Sequence, residues 1–234
     1  MATRIPTGIG INRFGHQLAL DVRRVDDALA QVPAIAAIEA VDPDTYRLIR
    51  ADLLATMAES GDRVAIEARL HADVTSVAEE YMPRASDDAV LRYGRVTVSE
   101  IEQVAGRSAD AAFVFLFPRQ GAPVDFFAYI DESTLREDSE ALADVIRTGA
   151  TSAPRRADGA RIDALMTDVG ERLTVRHGKA AQMLGSPLSP GLDRKCLALM
   201  VADLYRMVLD LPAPDAALLL RHMWGEKSVS KAAS

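Results

Sequence analysis

The sequence predicts an all-α protein, built as an irregular multi-helix bundle of about eight to ten helices. Apolar residues recur at spacings of three and four in one segment after another, which is the pattern of a helix with one buried face. Glycine and proline separate these segments. The chain has 234 residues, of which 49% are hydrophobic, so it is large enough to bury a core of its own.

Three helices are predicted in the first half of the chain. The first begins near Thr45 and carries an apolar stripe: Tyr46, Ile49, Leu53, Leu54 and Met57. Asp62 is the expected N-cap of the second helix, which Pro83 ends. Ser86 is the expected N-cap of the third. Gly94 lies on the apolar stripe of this third helix and predicts the close approach of another helix.

The second half of the chain repeats the pattern. We expect one helix around Leu135–Ile146 with Gly149 as its end, and the longest helix from Ile162 to Leu184. The segment Leu192–Leu211 is apolar on nearly every side, which is typical of a central helix. A short last helix is predicted over Pro214–Trp224.

These elements divide the chain into three parts. Residues 1–20 are expected to form a flexible N-terminal arm, residues 21–227 a single helical domain, and residues 228–234 a disordered tail. A polar stretch near 151–159 marks a soft lobe boundary inside the domain.

One region leaves helix and strand open. Five of the six phenylalanines lie between Phe113 and Phe127, in two apolar runs that flank a loop with two prolines. A short hairpin around 111–130 is one interpretation. The other is a short helix capped by Ser108, and we favour it because every neighbouring segment is helical.

Composition excludes several classes of function. The net charge of −7 argues against nucleic-acid binding, which needs a concentrated basic surface. No apolar run approaches the length of a membrane span, so we expect no membrane insertion. The single cysteine, Cys196, fits a reducing and therefore cytoplasmic location, and its apolar surroundings predict a buried thiol. Abundant arginine and alanine are typical of a bacterial genome rich in G and C.

No motif for catalysis, a metal or a cofactor is recognisable. The glycines of 8–15 lack the spacing and the preceding strand of a dinucleotide loop. Glu67 and His71 form an i,i+4 pair that we expect to be exposed, and Glu100 and Glu102 are expected on solvated faces. We therefore predict no catalytic residue, no metal site and no cofactor, and whether the chain is an enzyme stays open.

Two groups of residues and one histidine are candidates for binding. His177 falls on the seam of the longest predicted helix, where a buried imidazole needs a hydrogen-bond partner. The others are aromatic or apolar residues, whose first interpretation is core packing and whose second is contact with a partner. These residues are Phe115, Phe117, Phe126, Leu219, His222 and Trp224.

The leading hypothesis is a bacterial helical protein-interaction module, meaning an adaptor, regulator or neutraliser of a partner protein. It is favoured by the acidic charge, the all-α pattern and the missing chemistry. We expect a protein partner or a homodimer. The alternative is an enzyme or small-ligand-binding protein with a pocket between helices near His177.

Overall fold

The computed structural model describes residues 22–59, 62–117, 125–153, 158–185 and 193–232. This part of the chain forms ten α-helices and three 3-10 segments, with no strand, so the predicted all-α class is confirmed. The helices are α1 (Val22–Leu29), α2 (Pro33–Val41), α3 (Pro43–Glu59), α4 (Arg63–Tyr81), α5 (Asp87–Arg107), α6 (Ala109–Leu116), α7 (Glu132–Ala150), α8 (Gly159–His177), α9 (Arg194–Leu209) and α10 (Ala213–Ala232). The 3-10 segments are Met82–Arg84, Phe127–Tyr129 and Gly178–Gly185.

Side-chain caps begin several of the helices. Asp62 accepts a hydrogen bond from the backbone N–H of Val64 at 3.0 Å, and Ser86 accepts one from Ala89 at 3.2 Å. Both caps are those that the sequence predicts. Each satisfies a donor of the first turn that has no partner within the helix.

The core lies around α5 and α9. Helix α5 packs against α6, α7, α9 and α10, and α9 packs against α5, α6, α8 and α10. Helices α2 and α4 cover another side of α7. The apolar segment around α9 is therefore central, as its composition predicts. Helix α8 is peripheral, and one stripe of it is buried: Ile162, Leu165, Val169 and Leu173.

Two helix ends differ from the prediction. The predicted longest helix stops at His177, because Gly178 adopts a φ of +59° and the chain continues as a 3-10 segment to Gly185. Gly149 is buried in the last turn of α7, one residue before the helix ends at Ala150, so the predicted end of this helix is confirmed. Helix α10 continues past Trp224 to Ala232, and so enters the segment for which the sequence predicts no regular structure.

The helical interpretation of the phenylalanine-rich region is confirmed for its described residues. Ser108 caps α6 by accepting from the N–H of Ala111 at 3.2 Å, and Phe127–Tyr129 forms a 3-10 turn. The described residues of 111–130 contain no strand, so a hairpin is not formed there. The intervening residues, 118–124, lie outside the described residues.

Other predictions concern parts of the chain that the structure does not describe or does not test. The predicted N-terminal arm, residues 1–20, lies outside the described residues, as do residues 154–157 of the predicted lobe boundary. Among the helices that are described, none combines the length and the hydropathy that crossing a membrane requires.

Candidate functional site

An aromatic surface forms where α6 ends and the next described segment begins. We define it by five large apolar side chains that pack on the core and stay partly exposed: Phe115, Leu116, Phe117, Phe126 and Tyr129. Phe115 meets Phe126 edge-on at 5.2 Å between ring centroids, and Phe117 lies 5.3 Å from the ring of the buried Phe113. The structure therefore brings the predicted candidates Phe115 and Phe126 into contact, while Phe117 contacts Phe113 instead.

Polar contacts from α5 fix one edge of this surface. Arg107 donates hydrogen bonds to the carbonyl oxygen of Tyr129 at 2.8 Å and to the carboxylate of Asp131 at 2.7 Å. Gln103 accepts from the N–H of Asp131 at 2.7 Å and donates to the hydroxyl of Thr134 at 2.8 Å. The segment carrying Phe126 and Tyr129 is thus held in place on the outside of α5.

His71 of α4 lies beneath the aromatic surface. Its ring meets Phe126 at 5.8 Å and Phe127 at 5.3 Å, in both cases edge-on. Burial lowers the pKa of His71 to about 4, so the imidazole is neutral at pH 7. The expectation of an exposed Glu67–His71 pair is wrong, because Glu67 is only 1% exposed and His71 packs against aromatic rings. The apolar stripe of α4 gives no sign that a second element covers this side of the helix.

His177 belongs to a separate polar network centred on Asp203 of α9. Asp203 is 6% exposed, and its Oδ2 lies 2.9 Å from Nε2 of His177 and 3.1 Å from Nε of Arg176. The other oxygen accepts a hydrogen bond from Arg206 at 3.2 Å. Arg206 also pairs with Glu102 of α5. The network therefore ties the end of α8 to α9 and α5.

This network holds a histidine and a carboxylate, two groups found in acid–base sites. A histidine oriented by a buried carboxylate supplies two of the three groups of a nucleophilic triad. Within the described residues, however, no serine, threonine or cysteine hydroxyl or thiol is hydrogen-bonded to His177. The same residues contain no group of three or more His, Cys, Asp or Glu side chains that could hold a metal ion. The geometry is that of a structural clamp between helices.

A pair of buried acids is the feature that the sequence interpretation missed. Glu100 of α5 and Asp138 of α7 are each 5% exposed. Burial raises the pKa of Asp138 to about 7, and burial together with the neighbouring Asp138 raises the pKa of Glu100 well above its ordinary value. The expectation that Glu100 is solvated is therefore wrong. The sequence contains one signal of this burial: Asp138 lies three residues after Leu135 and four before Leu142, within the apolar stripe of the helix.

The candidates on α10 divide into core and surface. Leu219 is fully buried, and Trp224 packs between Tyr93 and Tyr205 with ring centroids at 4.9 and 6.0 Å. Both contribute to the interior, so neither is presented to a partner. His222 is partly exposed on the same helix.

Cys196 is exposed, against the prediction of a buried thiol. It lies in the first turn of α9, where its N–H bonds to the capping Asp193 at 2.9 Å. The buried face of the helix begins only at Leu197, so the first turn, which includes Cys196, stays exposed.

Comparison with known proteins provides no further assignment, since no family model, no curated protein and no solved structure matches this chain.

Proposed function

We propose that this chain is a helical protein-interaction module that binds a partner protein through the aromatic surface. The observation that carries the proposal is the contact between the partly exposed rings of Phe115 and Phe126, in two short segments that carry three further partly exposed apolar side chains. Aromatic residues concentrate binding energy at protein interfaces, and contiguous apolar surface on a folded protein commonly marks such an interface.

The attachment of the aromatic surface supports this role. Hydrogen bonds from Gln103 and Arg107 hold the segment around Tyr129 and Asp131 against α5. A surface that is already ordered loses little conformational entropy when a partner binds. The net charge of −7 favours a partner whose own apolar contact is surrounded by basic residues, because opposite charges speed encounter.

The cellular location and the kind of organism are part of the same proposal. We place the module in the cytoplasm of a bacterium, since a single cysteine fits a reducing compartment and the arginine-rich composition fits such a genome.

The alternative, ligand binding or catalysis near His177, has less support. In that network the carboxylate of Asp203 is already bonded to His177, Arg176 and Arg206. Polar groups that satisfy one another have little capacity left for a ligand. A broad ligand panel tested by thermal shift on wild type and His177→Ala examines this alternative, and a stabilising ligand lost in the variant would revive it.

The experiment for the interaction proposal compares capture by matched variants. Tagged wild type, Phe115→Ser and Phe126→Ser are used to capture proteins from cell lysate at moderate salt. The controls are Leu48→Ser and Val175→Ser, which change apolar side chains that are 71% and 88% exposed and lie on other helices. Circular dichroism establishes that each variant is folded.

The outcome is read in two steps. We expect a protein retained by wild type and by both controls, and lost with the Phe115 and Phe126 variants. That protein, once purified, should bind wild type at least about tenfold more tightly than Phe126→Ser, a difference of about 1.4 kcal/mol. Retention that is equal for all five proteins, or no retained protein at all, contradicts the proposal. Light scattering on the purified chain tests the homodimer in the same way, since the Phe variants should then be monomeric.

A further inference from the structure

Glu100 and Asp138 occupy the interior of the contact between α5 and α7. The two helices run antiparallel, because Arg92 early in α5 bonds to Asp144 late in α7, while Arg107 at the end of α5 reaches Asp131 just before α7. Polar contacts therefore close both ends of this interface. The same antiparallel register, which also pairs Gln103 with Thr134, sets Glu100 opposite Asp138, and each side chain is 5% exposed.

No cationic side chain of the described residues forms an ion pair with either carboxyl. Burial is the largest cause of both raised pKa values, and the charge of Asp138 adds to the rise at Glu100. On α5 and α7 themselves, Arg92 is engaged by Glu140 and Asp144, and Thr134 by Gln103. The nearby phenol of Tyr93 also has a raised pKa, to which both carboxyls contribute after burial.

The helices packed around this contact supply no positive charge to it. From α4, Glu79 adds negative charge near Tyr93, and from α9 the neighbouring group is the phenol of Tyr205. Arg206 of α9 is bonded to Asp203 and Glu102. Arg221 of α10 donates to the carbonyl oxygen of Ala85 and to Asp87. From α2, the backbone N–H of Ala34 bonds to the hydroxyl of Ser139.

We propose that Glu100 and Asp138 form a proton-holding pair that makes the α5–α7 contact sensitive to pH. While the pair keeps a proton, the two side chains remain close in the interior and the helices stay packed. When both carboxyls release their protons to solvent, two uncompensated negative charges share a buried space, and the contact loosens. This property is independent of the proposed partner binding.

The sign of the effect follows from the raised pKa of Asp138. A carboxyl with a raised pKa in the folded protein keeps its full contribution to stability below its unfolded pKa of 3.8 and loses it as the pH rises through about 7. The contact is therefore tightest in mild acid and weakest in mild base. Glu100, whose pKa is also raised, extends the loss in the same direction.

The direct test is a titration of the side-chain carboxyl carbons by NMR on the full chain, from about pH 4 to about pH 9. Wild type is compared with Asp138→Asn and with the control Glu137→Gln, which removes an exposed acid from the next position of α7. We expect two carboxyls of wild type to titrate well above the ordinary range. In Asp138→Asn the midpoint of Glu100 should fall by about one pH unit or more, because its charged neighbour is gone. The control should leave both midpoints unchanged.

Amide hydrogen exchange then reports on the contact itself. After correction for the intrinsic pH dependence of exchange, the α5 and α7 amides of wild type should exchange at least about tenfold faster above pH 7 than near pH 5. The double variant Glu100→Gln, Asp138→Asn should lose this difference. Titration of both carboxyls near pH 4, an unmoved Glu100 in Asp138→Asn, or exchange that does not depend on pH in wild type would each overturn the proposal. The wild-type measurements decide it even if a variant fails to fold.

Discussion

Gly149 provides the sharpest test of how α7 packs. A Cβ atom built at this position would lie 2.5 Å from the carbonyl oxygen of Tyr81 and 2.8 Å from its Cβ. Ordinary contact begins near 3.4 Å, so the substitution Gly149→Ala requires a shift of about 0.9 Å. The neighbour is backbone at the end of α4, and its carbonyl oxygen accepts from the N–H of Ala85 at 3.1 Å. The strain therefore cannot be relieved by turning a side chain.

The magnitude follows from two opposing effects. Overpacking a rigid interior costs about 1–3 kcal/mol, and contact with backbone favours the upper end. Replacing a glycine within a helix by alanine stabilises the folded state by about 1 kcal/mol, because alanine has the higher helix propensity. Gly149→Ala should therefore destabilise the chain by about 2 kcal/mol. Gly170→Ala in α8, where nothing lies within 4 Å of the added carbon, should stabilise it by about 1 kcal/mol.

Gly94 is the intermediate case. Its added carbon would meet Leu220 Cδ1 at 3.0 Å and Leu209 Cδ2 at 3.3 Å, and both are ends of flexible side chains. Gly94→Ala should change stability little, because the cost of rotating those leucines slightly offsets the higher helix propensity of alanine.

Urea unfolding followed by circular dichroism at 222 nm measures all three variants. The midpoints should rank Gly170→Ala above wild type, Gly94→Ala near it and Gly149→Ala below it, with slopes unchanged. By melting temperature, Gly149→Ala should fall by about 4–8 °C for a chain of this size. A Gly149→Ala protein as stable as Gly170→Ala would refute the described contact between α7 and the end of α4.

Three further predictions concern polar and exposed positions. Burial lowers the pKa of His71 to about 4, so the contribution of its neutral ring to stability is present above about pH 6.5 and is lost as the pH falls towards 4. His71→Phe should reduce this loss of stability in acid by about 2–3 kcal/mol, measured by urea unfolding across that pH range. His177→Ala removes a hydrogen bond to the buried Asp203 and should cost about 1–3 kcal/mol in the same assay, and a variant as stable as wild type would show that the pair does not hold α8. Leu48→Ser, at 71% exposure, should stay within about 0.5 kcal/mol of wild type, which is what qualifies it as a capture control.

Features that depend on nearby residues could be predicted from the sequence. The helix class follows from repeated three- and four-residue spacing, and the caps at Asp62, Ser86 and Ser108 follow from residue type at the start of each stripe. Gly94 was predicted to mark a close helix approach, and leucines of α9 and α10 do approach it there. These signals are local, so no knowledge of the fold is needed to read them.

Features set by distant residues could not be predicted in this way. Gly149 lies at the predicted end of α7, but the close approach of the Tyr81 backbone to it is set by the fold and has no signal in the neighbouring sequence. Leu219 and Trp224 could have formed a surface or a core, and only the positions of α5 and α9 decide for the core. The phenylalanines divide likewise, since Phe113 and Phe127 are buried while Phe115, Phe117 and Phe126 are partly exposed.

Buried charge shows most clearly why the sequence interpretation falls short. A helix packed on one side buries a single stripe, and charged residues beside that stripe reach water. Helix α5 is packed by four other helices, so a residue next to its stripe, such as Glu100, is enclosed as well. Asp203 and Arg221 are enclosed in the same way but have oppositely charged partners, which explains their presence as structural contacts. The neighbour of each of Glu100 and Asp138 is instead the other acid. Burying two acids together is costly and packing alone does not require it, and for that reason we expect the α5–α7 contact to respond to pH.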